Sequence, residues 1–176
     1  MIAIVTDSTV YISKKQAAEM GVHAVPMTYF VSGRRYHESY NDCNGQFEEL
    51  LLCPGASTSC PNIAEYKSLF EELLSEGYSV LCLVISSRLS GAYNSASVAA
   101  REVGGENVAV IDSLTTAGGL YYLVKEAKAM ADSGMTLHQI VKAVRDLRPG
   151  ITITFSVDDM SSLRKSGRLG FEKVMV

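Results

Sequence analysis

Short runs of aliphatic and β-branched residues alternate along the chain with stretches in which apolar side chains return every three or four positions. Runs bounded by turn residues suit strands buried on both faces, and the three-to-four spacing suits helices that bury one stripe. Ile2 to Val5 predicts a first strand, and Ser13 predicts the cap of a helix running to about Met20, closed by Gly21. Val22 to Val31 predicts a second extended stretch. Ser32-Gly33-Arg34 reads as a tight turn into residues 35–39, so a hairpin is expected there. Asn44 to Leu52 has the pattern of a short helix halted at Cys53-Pro54-Gly55. A clearer helix follows Pro61, whose fixed φ suits a first helical turn; Ile63, Tyr66, Leu69, Phe70, Leu73 and Leu74 form its stripe and Gly77 ends it.

Val80 to Ile85 is the strongest buried-strand pattern in the chain, followed by a helix to about Glu102 and a strand from Val108 to Ile111. Two helices are expected over about 118–132 and 136–148, stopped by Pro149-Gly150. Residues 151–155 alternate like a strand, and Asp158 to Lys165 reads as a short helix ending at Ser166-Gly167. Strands alternating with helices predict an α/β fold, an open and mostly parallel sheet flanked by helices. The pattern assigns residues 1–155 to this domain. It assigns 156–176 to the start of a second domain or a linker segment, since Leu169 to Val176 opens an element with no turn signal after it.

Composition narrows the classes. Hydrophobic residues make up 47% of the 176 and charged ones 20%, which excludes disorder. The net charge of −3 argues against a broad nucleic-acid surface or attachment to an anionic membrane. No apolar run approaches the roughly 20 residues that span a bilayer, so stable membrane insertion is not expected. The first residues lack the pattern of a signal peptide, and a cytoplasmic location is the expectation. Cys43, Cys53, Cys60 and Cys82 form no CxxC pair and no zinc-ribbon spacing; Cys82, inside an apolar run, reads as a small buried residue. No cofactor and no metal is expected.

Candidate chemistry lies in the turns. Three apolar strands end in hydroxyl-rich segments: Thr6-Asp7-Ser8-Thr9, Ser86-Ser87-Arg88-Leu89-Ser90-Gly91 and Asp112-Ser113-Leu114-Thr115-Thr116. A fourth, Ala56 to Pro61, also precedes a helix. In an open parallel sheet, ligands bind outside the carboxyl ends of the strands, where helix N-termini favour an anion. The plainer reading is that each turn caps a helix, since Ser, Thr and Asp are the residues helix starts prefer. Ser86, Ser87 and Ser90 exceed the need of one cap, and Gly91 allows close backbone approach. Motifs for a nucleophilic serine, a P-loop, a dinucleotide site and a zinc protease are all missing. Asp7 and Asp112 suit either turn stabilisation or a metal or acid–base pair, which leaves a small phosphatase or phosphotransferase using Asp7 and the Ser/Thr turns at strand ends as the alternative function. Leu163 to Arg168 is the one compact basic cluster. Arg164, Lys165 and Gly167 fit a helix end, and Arg168 beyond it is placed to meet a carboxylate or phosphate.

The ordered set of Val5-Thr-Asp-Ser-Thr9, Thr58-Ser-Cys-Pro61, Ile85 to Ala96, Val110-Ile-Asp-Ser113 and Leu163-Arg-Lys-Ser-Gly-Arg-Leu169 resembles the DegV family. These are bacterial fatty-acid-binding proteins that include FakB-type subunits of fatty acid kinase. The resemblance implies a non-catalytic carrier of a long-chain fatty acid. It places the ligand carboxylate on Thr58, Ser90 and Gly91. Asp7, Ser8, Ser59, Ser86, Ser87, Asp112 and Ser113 stand around them as a polar shell. It further implies an apolar tunnel between two domains, a partner kinase that phosphorylates the bound carboxylate, and a docking role for Arg168. Cys60 stands where the family usually has Gln, Ala92 where it usually has Thr, and Ser166 where it usually has Gly. Family members are longer, and their second domain supplies a histidine near the carboxylate and much of the tunnel. That second domain is expected to be largely absent from these 176 residues.

Overall fold

The computed structural model describes residues 1–38, 40–41, 53, 55–154, 156 and 161–168. β1 (Ile2–Asp7) runs into a single 3₁₀ turn, Ser8–Val10, and then α1 (Lys14–Met20). β2 (Val22–Val25), β3 (Met27–Val31), β4 (Arg34–Glu38) and β5 (Ser57–Ser59) follow, then α2 (Ile63–Ser75), β6 (Ser79–Val84) and α3 (Ala92–Glu102). β7 (Val108–Asp112), α4 (Ala117–Asp132), α5 (Leu137–Leu147), a 3₁₀ turn at Arg148–Gly150 and α6 (Ser161–Lys165) complete the described elements.

Four strands form a parallel sheet in the order β2-β1-β6-β7. β1 and β6 occupy its middle, and their near-continuous apolar runs follow from burial on both faces. Alternate residues serve two cores. Ala3, Val5, Val80, Cys82 and Val84 pack with Tyr66, Phe70 and Leu73 of α2 and with Ala92, Ala96, Ala99 and Ala100 of α3. Ile4, Leu81, Leu83 and Ile111 pack on the other side with Leu120, Leu123, Val124 and Ala127 of α4 and with Ile140 and Val144 of α5. The alanine face of α3 lets that helix lie close to the sheet. The result is the expected α/β architecture, a parallel sheet between two helical layers.

Capping residues set the helix starts. Ser13 with Gln16, Asn62 with Glu65 and Thr136 with Gln139 each exchange reciprocal side-chain-to-backbone hydrogen bonds. Asn62 therefore caps α2, and Pro61 lies outside the helix rather than in its first turn. Gly21 takes φ 61° after α1 and Gly77 φ 84° after α2, as the end signals require.

Two strand expectations are corrected. The stretch from Val22 to Val31 is two strands in different sheets: β2 joins β1, and after Pro26 the chain enters a second, antiparallel sheet of order β4-β3-β5. Proline has no N–H for a ladder, so the chain changes sheets there without leaving a donor unpaired. The hairpin itself is as expected, with Ser32 at φ 50° and Gly33 at φ 75°, the signs of a two-residue turn matched to strand twist. Ile151 to Thr154 lie in no strand. Alternation describes how a segment would pair, and these four residues have no ladder partner among the described residues. Phe155, the helix expected over 44–52, Pro54 and the start of the segment expected at Asp158 lie outside the described residues. Within that last segment, α6 covers Ser161–Lys165 and stops before Gly167 at φ 74°.

The close fit of α4 against the turn after β7 gives a direct test. A methyl group on Gly119 would overlap the Thr115 side chain, which is buried. Gly119→Ala is expected to cost about 1–3 kcal/mol in denaturant unfolding, as overpacking does. Adding Thr115→Ala should recover most of that loss, and the four-way comparison reads the contact directly.

Candidate functional site

The carboxyl ends of β1, β6 and β7 meet through side chains that grip backbone. Asp7, the last residue of β1, is completely buried. Its Oδ2 accepts from the Ile85 amide at 2.8 Å, across the sheet, and its Oδ1 accepts from the Thr9 amide and hydroxyl at 3.0 and 2.5 Å. Both oxygens are thus committed to the protein. Ser8 extends the joint, accepting from the Met27 amide at 2.9 Å and donating to Glu38 Oε2 at 3.3 Å. This pair of bonds ties the parallel sheet to the start of β3 and the end of β4.

The turn after β6 folds on Ser86. Its carbonyl accepts from the Leu89 and Ser90 amides, its hydroxyl accepts from Arg88, and its own amide donates to Thr115. Ser90 therefore emerges at the N-terminus of α3, where its hydroxyl accepts from the Ala92 amide at 3.3 Å. Asp112 accepts from the Ser87 and Leu114 amides at 3.0 Å each, and Ser113 closes its own turn on Thr115.

β5 lays Thr58 opposite Tyr29 and Ser59 opposite Thr28. That register carries the 58–60 segment over the Ser90 turn. A Cβ on Gly91 would stand 3.1 Å from Cys60 Sγ, so the two loops touch only because position 91 has no side chain. Between them lies a recess of ≈ 160 Å³ lined by Thr9, Glu38, Thr58, Ser59, Cys60, Ser90 and Arg168, among others. It adjoins a groove of ≈ 620 Å³ that shares Thr58, Leu89 and Arg168 and adds Ala56, Ser57, Leu163 and Ser166. Arg168 holds its place through hydrogen bonds from Nε to the Leu89 carbonyl at 3.1 Å and from Nη1 to the Ser166 carbonyl at 3.2 Å.

Of the residues singled out from sequence, Thr58, Ser59 and Ser90 line one recess and Gly91 lies directly behind it. Arg168, expected at a docking surface, lines the same recess. Asp7 and Ser8 brace it from below, while Ser86, Ser87, Asp112 and Ser113 build the neighbouring turns without lining it. Glu38 escaped the sequence reading, and Thr9 was named only as part of the hydroxyl turn after β1, not among the site residues. Glu38 ends a hairpin strand with no chemical motif around it, and only its register with Met27 places it here.

The chemistry available is that of an anion site built largely from neutral donors. The Thr58 hydroxyl has no hydrogen bond to a described residue, the proton of the Ser90 hydroxyl is uncommitted, and the positive end of α3 lies behind Ser90. Beneath, burial pushes the Tyr66 phenol and the Cys82 thiol well above their usual values, so both stay uncharged. Among the described residues, no group of three or more His, Cys, Asp or Glu is placed to hold a metal ion.

Burial raises the pKa of Asp7 against the opposing hydrogen bonds from Thr9 and Ile85. An acid whose pKa is raised by folding contributes stability that is fully present below its ordinary value, here 3.8, and is lost as pH rises through the raised value. Asp7→Asn removes that share of the pH dependence. It also turns an amide NH₂ toward a donor, at an expected cost of about 1–3 kcal/mol near neutral pH. Denaturation midpoints measured from pH 4 to 7 on both proteins check the two effects together.

Across residues 1–176 the chain matches the family model described as "Uncharacterised protein, DegV family". A DegV domain-containing protein of Deinococcus radiodurans is 36% identical over 171 residues, which cover 96% of this chain and 60% of the relative. A DegV family protein from Thermus thermophilus, whose structure is described as showing fatty acid binding, has a TM-score of 0.83 at 30% identity, over 98% of this chain and 62% of that one. DegV of Bacillus subtilis, described as a fatty acid binding protein, has a TM-score of 0.75 at 26% identity, over 94% and 60%. The chain therefore spans about 60% of the length of these relatives. With its whole length matched in sequence and its sheet order and recess now described, this chain belongs to the DegV family.

Proposed function

We propose that this chain carries the head-group end of a fatty-acid-binding site and that the protein is a non-catalytic carrier. The observation that carries the reading is the convergence of Thr58, Ser90, the start of α3 and Arg168 on one small recess. A carboxylate leaving water needs several donors, and two hydroxyls, a helix end and a guanidinium supply them. The relatives described as fatty-acid-binding support the choice of ligand. Arg168 would then contact the anion as well as serve at a docking surface.

The adjoining groove, with apolar contributions from Ala56, Leu89 and Leu163, is the natural path for the first part of the acyl chain. The rest of the tail would be covered by the part of the protein that the relatives have and these residues do not, a second domain proposed to begin near residue 156. Presentation of the bound carboxylate to a partner kinase in the cytoplasm is the finer proposal. It rests on the family resemblance and on a head-group recess open to the surface. No helix among the described residues is long and apolar enough to cross a membrane. The phosphatase alternative needs Asp7 free to meet a metal or a phosphate, whereas both its oxygens are bonded inside the fold.

Native mass spectrometry with lipid extraction tests the reading on the full-length protein. A long-chain fatty acid should copurify or bind when added, and its consistent absence would overturn the carrier function. Thr58→Val should weaken binding about tenfold or more, the worth of a hydrogen bond to a charged group, with stability nearly unchanged because the hydroxyl has no protein partner. Ser90→Ala should weaken binding similarly and also lose about 1 kcal/mol of stability, since the Ala92 amide loses the hydroxyl that accepts from it. Unchanged affinity in both would remove the carboxylate from this recess.

A further inference from the structure

Glu38 is a carboxylate inside a recess otherwise suited to an anion. It ends β4, lies opposite Met27 in the ladder, is half-buried, and faces Thr58, Ser59, Cys60 and Ser90 across ≈ 160 Å³. Its one hydrogen-bond partner among the described residues is the Ser8 hydroxyl, at 3.3 Å. No cation of the described residues forms an ion pair with it, because Arg35 is paired with Glu65 and the Arg168 guanidinium is bonded to the Leu89 and Ser166 carbonyls. Other titratable groups of the described residues surround it. Asp7 lies beneath Ser8, the phenols of Tyr11 and Tyr29 feel its charge, and the Cys60 thiol lies across the recess.

A ligand carboxylate that enters this space meets a second carboxylate with one guanidinium nearby and Asp7 below. Two carboxylates in one small site cannot both stay ionised without large cost; one proton held between them removes the repulsion and supplies a strong hydrogen bond. We propose that Glu38 makes binding here proton-coupled: a fatty-acid anion enters together with one proton, which is then shared between its head-group and the Glu38 carboxyl. This deepens the fatty-acid reading and rests on it. Before binding, burial already raises the Glu38 pKa, the Ser8 hydrogen bond opposes the shift, and Asp7 adds to it. The direction agrees with a residue poised to take up a proton. Chemically, such a site favours a protonatable acid or a neutral polar head over one that adds a fixed charge.

Calorimetry of the full-length protein with decanoate, run in two buffers of different ionisation enthalpy between roughly pH 6 and 8.5, counts the protons taken up while the free ligand stays ionised. Wild-type protein should take up close to one proton per ligand at the alkaline end, and its affinity there should fall toward about tenfold per pH unit. Glu38→Gln, whose amide oxygen still accepts from Ser8, should abolish the uptake, flatten the pH profile and bind decanoate more tightly than wild type at pH 8.5. Glu38→Ala should lose the uptake as well. Decanamide, which carries no charge, should bind wild type with little pH dependence. Uptake that persists in both variants, or is absent from wild type while decanoate still binds, overturns the role of Glu38. Failure of the wild-type protein to bind decanoate or any longer fatty acid overturns the carrier reading itself.

Discussion

The candidate site depends on a carboxylate that no ligand can reach. Asp7 ends a central, buried strand and spends both oxygens on backbone and side-chain donors of its own fold. The bond to Ile85 fixes where β6 stops and its turn begins, and the Thr9 bonds fix the 3₁₀ turn. Ser8 then fastens the antiparallel sheet to the same point. A buried carboxylate without these donors would be strongly unfavourable, so the arrangement is cooperative: the donors stabilise the charge and the charge orders the loops. Everything that lines the recess is attached, within a few residues, to one of those bonds.

The surroundings divide the labour between groups that hold and groups that are free. Ser86, Asp112 and Ser113 satisfy turn amides and carbonyls, which explains the excess of hydroxyls over simple capping needs. Thr58 and Ser90 keep donor capacity for something outside the protein. The chain contributes charges of both signs around that space, but Arg168 is oriented by carbonyls and Glu38 by a hydroxyl, so neither neutralises the other. Leaving them unpaired keeps the recess responsive to whatever charge arrives.

Much of this was legible in the chain. Val80 to Ile85 could hardly be anything except a central strand, and Ser13, Gly21 and Gly77 marked helix ends because their roles rest on local backbone geometry. The hydroxyl turns were visible for the same reason. What sequence left hidden was set by partners distant along the chain. Pro26 separates two strands that read as one, Ile151 to Thr154 alternate without a neighbour to pair with, and Asn62 displaces Pro61 from the start of α2. Glu38 enters the recess through the register of β3 with β4, which has no local signature, whereas Thr9 comes from a turn that sequence did mark. Arg168 looked like a free surface group because the carbonyl of Leu89, 79 positions away, is invisible to any pattern of neighbours.

The contact between Cys60 and the bare backbone at Gly91 sets the gauge of the opening. Thr58 sits on a three-residue strand bonded on one side to β3, while Ser90 sits at the head of a helix seated on the central sheet. Between them the Cys60 sulfur, which donates no strong hydrogen bond, lies against the bare backbone of Gly91. A longer side chain at position 60 must turn out of the gap or widen it. The width of the recess is thus shaped at a residue with little polar capacity of its own.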